Sequence, residues 1–115
     1  MGQFRFRQKT ELLRRGLEDQ SPACRGSALI SLELLSREHP GLVNAARPML
    51  HELASHDDNQ AVRRLAIFCL NNGSPQRETI LILSSIADDD EQDRELRAAA
   101  GKIGEQLRKK GAAKR

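Results

Sequence analysis

Three arginines head three look-alike phrases in this chain, and their spacing is what most limits the fold. Asp57-Asp58-Asn59 is an acidic turn; six positions after Asp57, Arg63 opens the apolar stretch Arg64-Leu65-Ala66-Ile67-Phe68-Cys69-Leu70. Asp19 stands in the same relation to Cys24-Arg25-Gly26-Ser27-Ala28, and Glu91 to Leu96-Arg97-Ala98-Ala99-Ala100. The arginines recur after 38 and 34 residues, the period of helical hairpins stacked side by side. One such hairpin cannot bury its own apolar stripe, so its neighbours must cover it. The spacing predicts a small all-α solenoid.

Hydrophobic periodicity fills in the elements. The expected helices cover about 9–17, 22–37, 42–55, a stretch from after Asn59 that ends at Asn71-Asn72-Gly73, 79–87, and a last one that has the acidic stretch 88–93 at its start and runs to about 110. Their core stripes are Cys24, Ala28, Leu32 and Leu35, then Leu42, Ala46, Met49 and Leu53. Val62, Ala66, Cys69 and Leu70 follow, then Ile82, Leu83, Ile86 and Ala87, and last Leu96, Ala100, Ile103 and Leu107. Ser21-Pro22 and Ser74-Pro75 each read as a cap followed by proline at the first helical position. Pro48 predicts a kink or short break near Ala45. Asn71-Asn72-Gly73 suits a left-handed helix end, and Gly111 should end the last helix. The run Ile80-Leu81-Ile82-Leu83 could also be a buried strand, but no second strand exists to pair with it. Residues 1–8 are expected to be a flexible lead-in, 9–110 one repeat domain, and 111–115 a disordered basic tail.

Composition narrows the kind of work. Charged residues make up 30% and apolar ones 38%, which suits a thin array whose helices each keep a wet face. Tyr and Trp are absent and Phe occurs three times, so the side chains that most often anchor interfaces and stack on bases are scarce. Net charge is +3, with basic residues gathered at the two ends and an acidic run over 88–95. Cys24 and Cys69 lie in apolar stretches without a CxxC or Cys/His cluster, so buried thiols in a reducing cytoplasm are expected. No apolar run is long enough for a membrane span, and no targeting segment is visible.

Two helices per unit, an acidic residue in the turn between them, and [Val/Cys/Leu]-Arg-x-x-Ala opening the second helix: this pattern resembles HEAT repeats. The resemblance covers about 9–110 in three units near 9–38, 40–73 and 75–110. Pro48 matches the proline these repeats commonly carry in their first helix. The resemblance implies a right-handed α-solenoid of about six helices whose second helices line a concave side. It also implies a ladder in which Arg25, Arg63 and Arg97 meet Asp19, Asp57 and Glu91 of their own or an adjacent unit.

Counted from each repeated arginine, the helix face opposite the core stripe carries Ile30 and Arg37 in the first unit. It carries Arg64, Phe68 and Asn71 in the second, and Lys102 in the third. These six residues are the expected partner-binding column, with Ile30 and Phe68 as apolar anchors for a peptide or helix of a protein partner. The alternative is a nucleic-acid surface built from inner-helix and terminal basic residues, against which the missing aromatics and small net charge weigh. No catalytic residues, cofactor or metal site are expected. His51 and His56 are five apart, wrong for sharing a ligand on one helix face, and Asp88-Asp89-Asp90-Glu91 lacks the loop glycine of a calcium site. Ala98, Ala99, Gly101 and Gly104 form a small-residue face, so the chain is expected to be a monomer or a weak homodimer.

Overall fold

A computed structural model describes the backbone of residues 2–113 and the side chains of 7–112. Six helices follow one another: α1 (Gly2–Leu17), α2 (Pro22–Ser36), α3 (Gly41–His56), α4 (Gln60–Leu70), α5 (Arg77–Asp88) and α6 (Arg94–Ala113). No strand occurs among the described residues, and the Ile/Leu run at 80–83 lies inside α5.

Each second helix begins on a side-chain cap. Ser21 Oγ accepts from the Cys24 amide at 3.4 Å, Asn59 Oδ1 from Val62 at 3.1 Å, and Asp93 Oδ2 from Leu96 at 3.1 Å. These bonds satisfy amides that a helix start leaves without partners. First helices are set differently. Neither Pro40 before α3 nor Gln76 before α5 makes a side-chain cap. Ser74-Pro75 lies outside α5, contrary to the cap signal. Ser74 N–H donates to Asn44 Oδ1 (3.0 Å) and its carbonyl accepts from Arg47 (3.2 Å), so the pair is stitched to α3 instead.

The hairpins α1–α2, α3–α4 and α5–α6 stack in order, with α1, α3 and α5 in one layer and α2, α4 and α6 in the other. The result is a slab of 45 × 40 × 18 Å, two helix diameters thick. Between the layers lies one continuous core, from Leu17 and Leu29 through Leu50, Ala66 and Ile67 to Leu83, Leu96 and Leu107.

Several local expectations change. α1 begins at Gly2, so part of the expected lead-in is helical, and α6 passes through Gly111 to Ala113. Residues 114–115 of the expected tail lie outside the described residues. α3 runs unbroken through Pro48, which sits on the exposed side of the helix, where the backbone bond that proline cannot make is not buried. No described residue has a positive φ, so Gly73 is not a left-handed cap. It is buried, and a Cβ there would stand 2.6 Å from Val43 Cγ1; the glycine is needed for close approach.

Cys24 is exposed rather than core. Its equivalents one and two units on, Val62 and Leu96, are buried, on helices that pack against a preceding second helix. The first unit has no predecessor among the described residues, so the same stripe position is left open. Cys69 is buried, its Sγ donates to the Leu29 carbonyl at 3.1 Å, and burial together with the Glu33 carboxylate pushes its thiol up to about 12.

Candidate partner-binding face and the arginine ladder

The three repeated arginines do one thing in common. Each guanidinium donates to backbone carbonyls of its own hairpin: Arg25 to the turn carbonyls Asp19 O (2.9 Å) and Gln20 O (3.0 Å), and Arg63 and Arg97 to the last turn of the first helix, at Ala54 O (2.8 Å) and Ala87 O (3.3 Å). The last carbonyls of a helix lack intrahelical partners and carry partial negative charge, so a cation is favoured there. The arginines are clips within each hairpin before they are links between hairpins.

As links they differ. Arg25 reaches forward to the second turn, Nε 2.8 Å from Asp57 Oδ2 and Nη2 donating to Asp57 Oδ1 at 3.2 Å. Asp57 also accepts from the Asn59 amide, as Asp19 accepts from Ser21. Arg63 finds no carboxylate in contact among the described residues. Its Nη1 donates to Gln92 Oε1 (2.8 Å), and Gln92 Nε2 donates to Asp89 Oδ2 (3.2 Å), a relay in which an amide stands between the charges. Arg63 is only 6% exposed. Burial lowers its pKa from the usual value, opposed by the Asp57 and Asp89 carboxylates. Arg97 turns back to Asp90 of its own turn, at 3.2 Å.

Glu91 takes no part in the ladder; its side chain is exposed and only its amide is used, donating to Asp89 Oδ1. The turns explain this. From the turn aspartate to the cap the first two run 19–21 and 57–59, while the third runs 89–93, two residues longer. Asp89, directly after α5, is the structural counterpart of Asp19 and Asp57. Counting six back from Arg97 lands on the inserted residues instead.

The expected partner-binding residues lie on the outer face of the α2–α4–α6 layer. Ile30 is 51% exposed and Phe68 40%, at equivalent positions on neighbouring helices. Leu34, one turn after Ile30, is exposed as well and extends the apolar strip; the count from the arginine skipped it. The flanking polar residues are more engaged than the sequence suggests. Arg37 holds Glu33 in a bidentate pair at 3.0 Å, and Arg64 lies 3.4 Å from Glu95 and 3.8 Å from Asp93. Asn71 is half-buried at the end of α4, its carbonyl accepting from Lys110 at 2.6 Å. Lys102 is exposed. With Arg37 and Arg64 already neutralised, the strip is apolar rather than basic, which does not favour a polyanion.

A second recess was missed. Between first helices α3 and α5 lies a groove of about 650 Å³ lined by Arg47, His51, Glu52, Ser55, Glu78 and Ile82. It shares Ser55, His56 and Ile82 with a smaller recess of about 280 Å³ beside Arg63. The signal was present in Arg47, His51 and Ser55, a polar stripe at fourth-residue spacing along a first helix. His51 is half-buried, with Nε2 2.7 Å from Thr79 Oγ1. Among the described residues no group of His, Cys, Asp and Glu is placed to hold a metal ion.

A family model for HEAT repeats matches residues 10–104. No curated protein and no solved structure matches the chain.

Proposed function

The chain belongs to the HEAT-repeat family, and we propose that it is a non-catalytic binding module that holds a peptide or helix of a protein partner. The occupied surface is the outer face of the second-helix layer. HEAT repeats are commonly protein-interaction scaffolds, and one observation carries the assignment to this face. Ile30, Leu34 and Phe68 are large apolar side chains left uncovered on adjacent helices, in a protein that has few large apolar residues to spare. A partner with an apolar ridge would remove them from water, at about 25 cal/mol for each Å² covered. Lys102 at the strip's edge suits an acidic residue beside that ridge. Two thiols without a disulfide, one of them exposed, fit a reducing compartment such as the cytoplasm. No helix is long and apolar enough to cross a membrane among the described residues.

The test replaces Ile30 and Phe68 together by Glu. Both are exposed, so helicity and melting should be unchanged, while the proteins retained by the immobilised wild-type chain from its native cell are lost. A peptide from the retained protein should then bind the wild type directly and the double variant at least tenfold more weakly, a difference of about 1.4 kcal/mol. Retention that survives the double substitution, or a double variant that unfolds, refutes the reading.

A further inference from the structure

At the joint between the first two units, α2 turns one face forward and α4 turns one back. Leu65 Cδ1 lies 3.7 Å from where a Gly26 Cβ would stand, Cys69 donates to the Leu29 carbonyl, and Asn72 Nδ2 donates to Glu33 O and Ser36 Oγ, each at 3.0 Å. Carried along the repeat, the forward positions Gly26, Leu29, Glu33 and Ser36 become Ala98, Gly101, Glu105 and Arg108 on α6. The backward positions Leu65, Cys69 and Asn72 become Ser27, Ser31 and Leu34 on α2. All seven of these are exposed. Among the described residues, both of these faces therefore keep the surface of a joint without a partner on it.

Neither end is dressed as a cap. Terminal units of a solenoid need a polar outer face to stay apart, yet Leu12 is 66% exposed at the first end and Leu81 57% at the last. Leu12 borders an open trough of about 460 Å³ with Ala23, Cys24, Ser27, Ala28 and Ser31. At the opposite end Ala98 and Gly101 carry too little side chain to hold a neighbour off.

The ladder is open at the same two places, with opposite charge. Its rule at the first joint is arginine forward to the next turn's aspartate. Arg97 meets no next turn among the described residues, and rests on Asp90, whose side chain is 92% exposed. Asp19 holds the Ser21 amide just as Asp57 holds that of Asn59, but receives no arginine from a preceding unit among the described residues.

We propose that the chain stacks head to tail on a second copy of itself, α6 of one copy against α2 of the next, with Arg97 of the first taking Asp19 of the second. Glu105 and Arg108, which would both face Leu34, lie 3.9 Å apart and meet it as a paired couple, with Arg108 also donating to Ser84 Oγ at 2.8 Å. A contact between two different faces does not close on itself, so the product is an open chain of copies rather than a two-fold dimer. This joint lies at the ends of the stack and shares Leu34 with the partner-binding strip, but its test at Arg97, Asp19 and Ser27 uses none of the strip's residues.

The weight-average mass should be followed by sedimentation from about 10 µM to about 1 mM, the range in which a small, partly polar contact populates. It should rise above 12.8 kDa without levelling at twice that value. Arg97→Asp and Asp19→Arg should each lower the association constant about tenfold, and mixing the two variants should restore growth, because every joint between unlike chains is again oppositely charged. Arg97 also holds Ala87 O, so Ser27→Arg serves as the variant that spares the fold. It should abolish association with an unchanged thermal midpoint. A mass that stays at the monomer, one that levels at the dimer, or association that survives Ser27→Arg overturns the proposal.

Discussion

The two internal joints are built from the same repeat, yet one is closed and the other open. At the first, α1 and α3 enclose a gap of only about 50 Å³ lined mainly by Leu13, Leu32, Leu42, Ala46 and Met49, and Arg25 meets Asp57 directly. At the second, α3 and α5 leave the polar groove of about 650 Å³, and Arg63 reaches Asp89 only through Gln92. Arg47, Glu52 and Glu78 line that gap, and their charged ends are costly to desolvate, so the first helices stay apart where they must remain wet. The second helices stack at both joints. The comparison teaches that the α2–α4–α6 layer holds the solenoid together, while the first-helix layer is where one joint departs from the other.

The largest test of that claim is to place a charge in the second-helix layer. Ala66 is fully buried, and Ala66→Asp should cost about 4 kcal/mol, the range for an uncompensated buried charge. Cys24→Asp, at the repeat position that is buried in the later units, should stay within about 0.5 kcal/mol because the site is exposed and lies in the first turn of α2, where a carboxylate is tolerated. Urea midpoints would decide. Equal losses for the two variants would mean that the first unit's stripe is covered after all.

The links come next in size. Asp57→Ala removes the acceptor of a charged pair and of the Asn59 amide, and should cost about 2 kcal/mol; Gln92→Ala removes an uncharged relay and should cost about 1 kcal/mol. If Gln92→Ala proves the costlier, the relay and not the direct pair is the stronger link. Glu91→Ala should change stability by less than about 0.5 kcal/mol. A loss matching that of Asp57→Ala would restore the six-residue spacing and remove the two-residue insertion from the third turn.

These substitutions also mark where the sequence was readable. Arg25, Arg63 and Arg97 fall where the period puts them, and Val62, Ala66, Leu96, Ala100, Ile103 and Leu107 are buried as helical spacing predicts, because covering an apolar stripe is a demand each repeat makes in the same way. Cys24 broke the pattern since burial there depends on a neighbouring unit, which no local window reveals. Glu91 misled because spacing along the chain counts inserted residues that geometry sets aside. Ser74-Pro75 carries a helix-start signature, but Asn44 and Arg47, about thirty residues earlier, compete for Ser74 and win. On the candidate face the pattern located Ile30 and Phe68; it could not show that Arg37 and Arg64 spend their charge on neighbouring acids.

The smallest expected effect is confined to the open joint. His51 on α3 faces Thr79 of α5 across the groove, the contact that ties these first helices where packing is sparse. Burial lowers its pKa below the ordinary 6.5; Glu78 raises it in part, and Arg47 adds to the lowering. A base whose folded pKa is depressed favours the fold in its neutral form. Its contribution is therefore fully present above pH 6.5 and is lost as pH falls from there through the folded value, since the unfolded chain then binds the proton more readily. The urea midpoint should drop between pH 7.5 and pH 5.5, and His51→Asn should flatten that slope, while His39→Asn, at an exposed position outside the groove, leaves it unchanged. Hydrogen exchange at pH 5.5 should show α5 amides opening more than those of α1, because the closed joint has no histidine between its first helices. A slope that survives His51→Asn would move the pH sensitivity elsewhere and leave the two joints distinguished by their links alone.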